Sequence, residues 1–182
     1  MSKTGQEIRV VFDINVYVDT IKPPHKNTYE CFKAIESRQD LMLVYSPYIL
    51  KKALKVLRSE VKASTSEFEK FTSMIRSLSP KLILEDIGEP FGSEVNTVGN
   101  LKLDDSHIYN LARKSDSSLI VTSDSDFERV KNLSRDIAIV SPARFIRLTS
   151  PKKPPTKPSL GLQFGMNPLD FQPGKSGFGQ QI

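Results

Sequence analysis

The stretch Ile8-Arg9-Val10-Val11-Phe12-Asp13-Ile14-Asn15 decides the fold. A short apolar run rich in β-branched residues, closed by Asp13 and Asn15, reads as a buried strand with polar side chains at its carboxyl end. In open α/β sheets that end borders the crevice where ligands bind. The same sign recurs far downstream, where Leu119-Ile120-Val121 is followed by Thr122, Asp124 and Asp126. Between them, Asp104 and Asp105 open a helical pattern. Gathering several carboxylates costs charge repulsion, and the usual compensation is a hard divalent cation with oxygen ligands. The expectation is a magnesium or manganese site acting on phosphates.

Outward from these clusters, apolar runs alternate with helical patterns. Strands are expected at Ile8–Phe12, Leu41–Tyr45, Lys81–Leu84, Leu119–Thr122 and Ile137–Val140. Helices are expected around Asn27–Ser37, Pro47–Ser59, Thr65–Leu78, Asp104–Lys114 and Ser125–Asn132. Ser46-Pro47 and Ser141-Pro142 each read as an N-cap followed by proline at the first helical position. This alternation implies βαβ crossovers and a mostly parallel sheet covered on both faces, an α/β fold of three layers, α/β/α.

Composition limits the reading. With 182 residues and 38% hydrophobic content the chain can bury one full core. The single cysteine, Cys31, excludes an internal disulfide and points to a reducing compartment, with Cys31 a small core residue. No apolar stretch approaches the roughly 20 residues of a membrane span, and no signal-peptide pattern opens the chain, so a cytoplasmic protein without membrane association is expected. The net charge of +5 is unevenly spread. From residue 149 onward, Lys152, Lys153, Lys157 and Lys175 face only Asp170, while the body holds 22 basic and 20 acidic residues. Overall basicity therefore makes no case for nucleic acid.

Residues 149–182 carry six of the twelve prolines and five of the nine glycines. Such a segment cannot bury a core and reads as a disordered tail after a domain spanning residues 1–148. Phe164, Phe171 and Phe178 recur every seven residues, but the intervening prolines and glycines exclude a heptad helix. The spacing suits either a docking peptide or a plain solvated tail.

Five motifs stand in a fixed order: Val10-Val11-Phe12-Asp13-Ile14-Asn15, Ser46-Pro47-Tyr48-Ile49-Leu50, Asp104-Asp105-Ser106-His107-Ile108, Val121-Thr122-Ser123-Asp124-Ser125-Asp126-Phe127 and Ser141-Pro142-Ala143-Arg144-Phe145. In that order they resemble a PIN domain, and in particular the bacterial PIN-family toxins of toxin–antitoxin systems, the VapC-like ribonucleases. The resemblance covers the first 148 residues. It implies a PIN-like fold and an endoribonuclease that uses Mg2+ or Mn2+ to hydrolyse RNA phosphodiester bonds. It also implies a small antitoxin partner and a homodimer. Asp13, Asp105 and Asp124 match the metal-holding catalytic acids, with Asn15, Thr122, Asp104 and Asp126 in support.

One position departs from the family pattern. Lys52 stands where a glutamate is usual, and Glu60 is about 12 Å further along the helix at 1.5 Å per residue. An ammonium near Asp13 and Asp105 would compensate their charge and compete with a cation. The chain then keeps three of four expected acids, and the rival to a weakened nuclease is a catalytically silent PIN-like module that binds RNA or protein.

Other residues have plainer alternatives. Asp13 could be a turn residue, Asp104 a complement to the helix dipole and Asp126 an acid at a helix start. His107 is expected to pack rather than catalyse. Lys51, Lys55 and Arg58 share a helix face that is either solvated or an electrostatic track for RNA.

Overall fold

The computed structural model describes residues 7–21, 26–89, 101–131 and 135–150. The disordered tail expected from residue 149 onward lies, apart from its first two residues, outside the described residues.

Each expected strand forms. β1 (Ile8–Phe12), β2 (Leu41–Tyr45), β3 (Leu82–Leu84), β4 (Leu119–Val121) and β5 (Ala138–Val140) make one sheet in the order β3-β2-β1-β4-β5. All neighbours are parallel, with Val11 opposite Val44 on one side and Ile120 on the other. The strands at the sheet centre read as continuous apolar runs because both of their faces are covered: Val10, Val11, Phe12, Leu43, Val44, Ile120 and Val121 are fully buried. The chain moves from β1 through β2 to β3, then returns across β1 to place β4 and β5. With right-handed crossovers, such a reversal covers both faces of the sheet with helices. The three-layer α/β/α class read from the alternation is the class observed.

The helices are α1 (Ile14–Asp19), α2 (Lys26–Ser37), α3 (Pro47–Ser59), α4 (Thr65–Ser77), α5 (Leu103–Lys114) and α6 (Pro142–Thr149), with a 3-10 helix at Ser125–Val130. Both Ser-Pro signatures act as read: Ser46 Oγ accepts from Ile49 N at 3.3 Å and Ser141 Oγ from Arg144 N at 3.3 Å. Ser64 and Glu67 close a capping box at the start of α4. Two details differ from the sequence reading. Helix α1 was unmarked, and the stretch from Ser125 is a 3-10 helix ending at Val130, with Asn132 outside the described residues.

The core around β1 is aromatic. Phe12 meets Phe32 edge-on at 5.0 Å and Phe145 at 5.7 Å, and Tyr17 meets Phe32 at 5.5 Å. Such pairs contribute about 0.5–1.5 kcal/mol each beyond the area they bury. They tie α1, α2 and α6 to the residue just before Asp13, which fixes that end of β1. Cys31 is buried against the Pro142 carbonyl, and burial pushes its thiol up to about 12.

Candidate functional site

The sheet order makes β1 and β4 adjacent at the point where the chain reverses, and the crevice at such a switch point lies beyond the strand carboxyl ends. Asp13 leaves β1 there and Thr122 leaves β4. Ladder-like bonds continue past both strands, with Asp13 N donating to the Val121 carbonyl at 3.0 Å and Thr122 N to the Val140 carbonyl at 3.0 Å.

Asp13 is the N-cap of α1. Its Oδ1 accepts from Ile14 N at 2.6 Å, while Oδ2 accepts from Asn15 Nδ2 at 2.7 Å and from Thr122 Oγ1 at 2.5 Å. Thr122 Oγ1 in turn accepts from Asp124 N at 2.9 Å, and Asn15 Nδ2 reaches the same hydroxyl at 3.3 Å. Thr122 therefore joins the two acidic stretches. Asp13 is only 4% exposed, and burial, with added repulsion from Asp105 and Asp124, raises its carboxyl to about 7 despite the Thr122 hydrogen bond.

Asp105 sits in the first turn of α5, 7% exposed, and its Oδ2 has no hydrogen-bond partner. Burial, then the charge of Asp124, raises its carboxyl to about 6. Asp124 caps the 3-10 helix, its Oδ1 accepting from Asp126 N at 2.8 Å. Among the described residues, Asp105, Asp124 and Asp126 form a group whose ligand oxygens lie within 4.8 Å of one another. Asp13 is not one of these three, although it feels the charge of two of them. A buried carboxylate oxygen without a partner is costly unless a cation or donor satisfies it, and three carboxylates in mutual reach make that cost larger. The donor set is all oxygen and fits a hard divalent cation such as Mg2+ or Mn2+.

Asp126 therefore combines two roles that the sequence left as alternatives: it lies in the first turn of the 3-10 helix and belongs to the carboxylate group. Asp104 faces other partners. It accepts from the Tyr48 hydroxyl and pairs with Lys52 at 2.9 Å. Its burial opposes ionisation, but the Tyr48 and Lys52 contacts outweigh it and hold the carboxyl below its ordinary value. The ammonium of Lys52 is thus engaged by Asp104 rather than by Asp13 or Asp105. His107 is buried, its Nε2 2.9 Å from Ser46 Oγ and its ring 4.6 Å from that of Tyr48. Desolvation lowers its pKa, which suits a packing role.

Sequence reasoning missed Lys102. Its Nζ lies 3.0 Å from Asp126 Oδ2, and Arg129 approaches the other oxygen at 3.7 Å. The hydrogen bond to Asp126, then the charges of Asp126, Asp124 and Asp105, raise the Lys102 pKa, while its cations hold Asp126 below its ordinary value. The only signal in the sequence was its place two residues before Asp104.

Lys51, Lys55 and Arg58 line one groove of about 820 Å3 with Tyr45, Leu50, Leu54 and Leu84, and none of the clustered aspartates contributes to it. Lys51 pairs with Glu89 at 2.8 Å, and the Arg58 guanidinium lies over the Phe68 ring at 5.6 Å.

No family model and no curated protein matches this chain. Solved structures do. The crystal structure of VapBC2 from Rickettsia felis bound to a DNA fragment from their promoter is similar over 74% of this chain and 98% of that one, at 16% identity and a TM-score of 0.46. The structure of FitAB bound to an IR36 DNA fragment is similar over 73% of this chain and 94% of that one, at 16% identity and a TM-score of 0.47. Among the described residues, no helix is long and apolar enough to cross a membrane.

Proposed function

We propose that the protein is a divalent-metal-dependent endoribonuclease of the PIN-toxin kind. The observation that carries this reading is the buried, partnerless Oδ2 of Asp105 in a residue within ligand reach of Asp124 and Asp126. In this reading Asp105, Asp124 and Asp126 hold Mg2+ or Mn2+ directly. Asp13 adds its charge from the β1 side. Thr122 and Asn15 orient Asp13, and Thr122 also fixes the backbone of Asp124, so that the carboxylates keep their spacing without rearrangement. A divalent cation held there would lower the pKa of a bound water and neutralise charge on the scissile phosphate. Lys51, Lys55 and Arg58 offer a phosphate-binding track on α3. The partners that belong to this reading are an RNA substrate, a small antitoxin and a second copy of the chain.

The silent binding module is the second reading, favoured by one observation: Lys102 and Lys52 already neutralise Asp126 and Asp104. Incubation of single-stranded RNA with the purified protein in Mn2+, in Mg2+ and in chelator separates the two. The nuclease reading expects metal-dependent internal cleavage that Asp105→Asn and Asp124→Asn each abolish. RNA left intact at millimolar Mn2+ refutes it.

A further inference from the structure

We propose that Lys102 is the protein's own counter-ion at the Asp105–Asp124–Asp126 group, a tethered ammonium that a divalent cation must displace in order to bind. The inference rests on the reading of that group as a cation site and adds a competitor that the reading does not contain.

Three observations carry it. The first is contact, since Lys102 Nζ lies 3.0 Å from Asp126 Oδ2. The second is position. Lys102 is the N-cap residue of α5 and makes no side-chain capping hydrogen bond. Helix starts favour Ser, Thr, Asp or Asn and disfavour cations, because the exposed N–H groups already make that end positive. A lysine there is locally unfavourable, and the acidic group across from it is the compensation. The third is mobility of attachment. The Lys102 side chain is 74% exposed, so it can leave Asp126 without breaking packing, while the buried Leu101 and the bond from Ser106 N to the Lys102 carbonyl at 2.8 Å hold its backbone in place.

The unpartnered Oδ2 of the buried Asp105 marks a need that Lys102 leaves unmet. The ammonium satisfies the half-buried Asp126 and leaves Oδ2 of Asp105 without a partner. A divalent cation binding to all three carboxylates displaces it. Once displaced, the ammonium remains tethered beside the group and is free for a phosphate oxygen of a polyanion. Lys102 is then a positioning residue that becomes available only when the cation is bound.

The test is calorimetric titration of the full chain with Mn2+ after chelator treatment, which reads binding without reference to cleavage. Lys102→Met keeps the length and removes the charge, and should tighten Mn2+ roughly three- to fivefold, the scale of an exposed ion pair. Lys52→Met is the matched control, since its ammonium pairs with Asp104, and should stay within about twofold of the parent. In an Asp126→Asn background the tether is gone, and adding Lys102→Met should change affinity by less than about twofold. Equal or weaker Mn2+ binding in Lys102→Met, with binding intact in the parent, overturns the counter-ion and leaves the cation site standing. Absence of Mn2+ binding in the parent and in Lys102→Met overturns both.

Discussion

Replacing Asp105 by Asn should stabilise the metal-free protein, and the size of the gain follows from the environment of that carboxylate. Burial, then Asp124, lifts its pKa from 3.8 to about 6. Below pH 3.8 the group is protonated in folded and unfolded chains alike and contributes nothing. As pH rises from there towards 6 the unfolded chain loses its proton first, so unfolding becomes progressively easier, and the penalty is complete above about 6. At about 1.4 kcal/mol per pH unit the full penalty is about 3 kcal/mol. The amide removes the charge but introduces N–H donors of its own, which the neighbouring carboxylates can accept. A gain of about 1–3 kcal/mol at pH 8 in chelator is expected, or about 2–4 °C in Tm for each kcal/mol at this chain length. Urea denaturation followed by circular dichroism at pH 8 and near pH 3.5 measures it, and the difference should collapse at the lower pH. Excess Mn2+ should invert the order, stabilising the parent and not the variant. A variant that is less stable than the parent at pH 8 in chelator, or equally shifted at both pH values, refutes the account of Asp105 as an uncompensated buried charge.

Thr122→Val removes the donor at 2.5 Å from Asp13 Oδ2 and the acceptor of Asp124 N, and should cost about 1–3 kcal/mol in urea unfolding; an unchanged midpoint would show that water replaces the hydroxyl. Lys52→Glu sets a second carboxylate against Asp104, so it should lower stability by up to about 1 kcal/mol without tightening Mn2+, and tighter binding would show that Lys52 acts on the cation directly. Removing residues 151–182 should leave Tm unchanged to within about a degree, as a Pro- and Gly-rich tail predicts. The cut belongs after Ser150 because the Thr149 carbonyl accepts from Arg38 at 3.0 Å, and a large loss of Tm would show that the tail packs on the body.

The strands were legible because a parallel sheet buried on both faces must be written as short apolar runs. The two Ser-Pro caps were legible because their hydrogen bonds are local. Helix α1 was not, since Ile14-Asn15-Val16-Tyr17-Val18 favours strand by propensity. It is helical because Asp13 caps it and because Val16, Tyr17 and Val18 find burial on the core. At the site, Asp105, Asp124 and Thr122 could be marked by their distance from strand ends and a helix start. The division of labour among the acids could not, because it depends on which cation each one meets. Asp104 and Asp105 are adjacent in sequence, yet one pairs with Lys52 and Tyr48 while the other is left with a bare oxygen. Lys102 carried no periodicity or motif, and its partner Asp126 belongs to a different element.

The strand order also has a consequence for how the protein is made. β1 lies between β2 and β4, and the hydrogen bond from Thr122 to Asp13 spans 109 positions of the chain. During synthesis β1, β2 and β3 can associate early, with the β4 side of β1 still open. Asp124 and Asp126 follow β4, so a nascent chain halted before Leu119 has only Asp105 of the three-carboxylate group, whatever the preceding residues have folded into. That group therefore cannot assemble on the translating ribosome until β4 and the 3-10 helix after it have emerged and docked. A protein that cuts RNA would in this way be kept inert through the period when it is held closest to RNA.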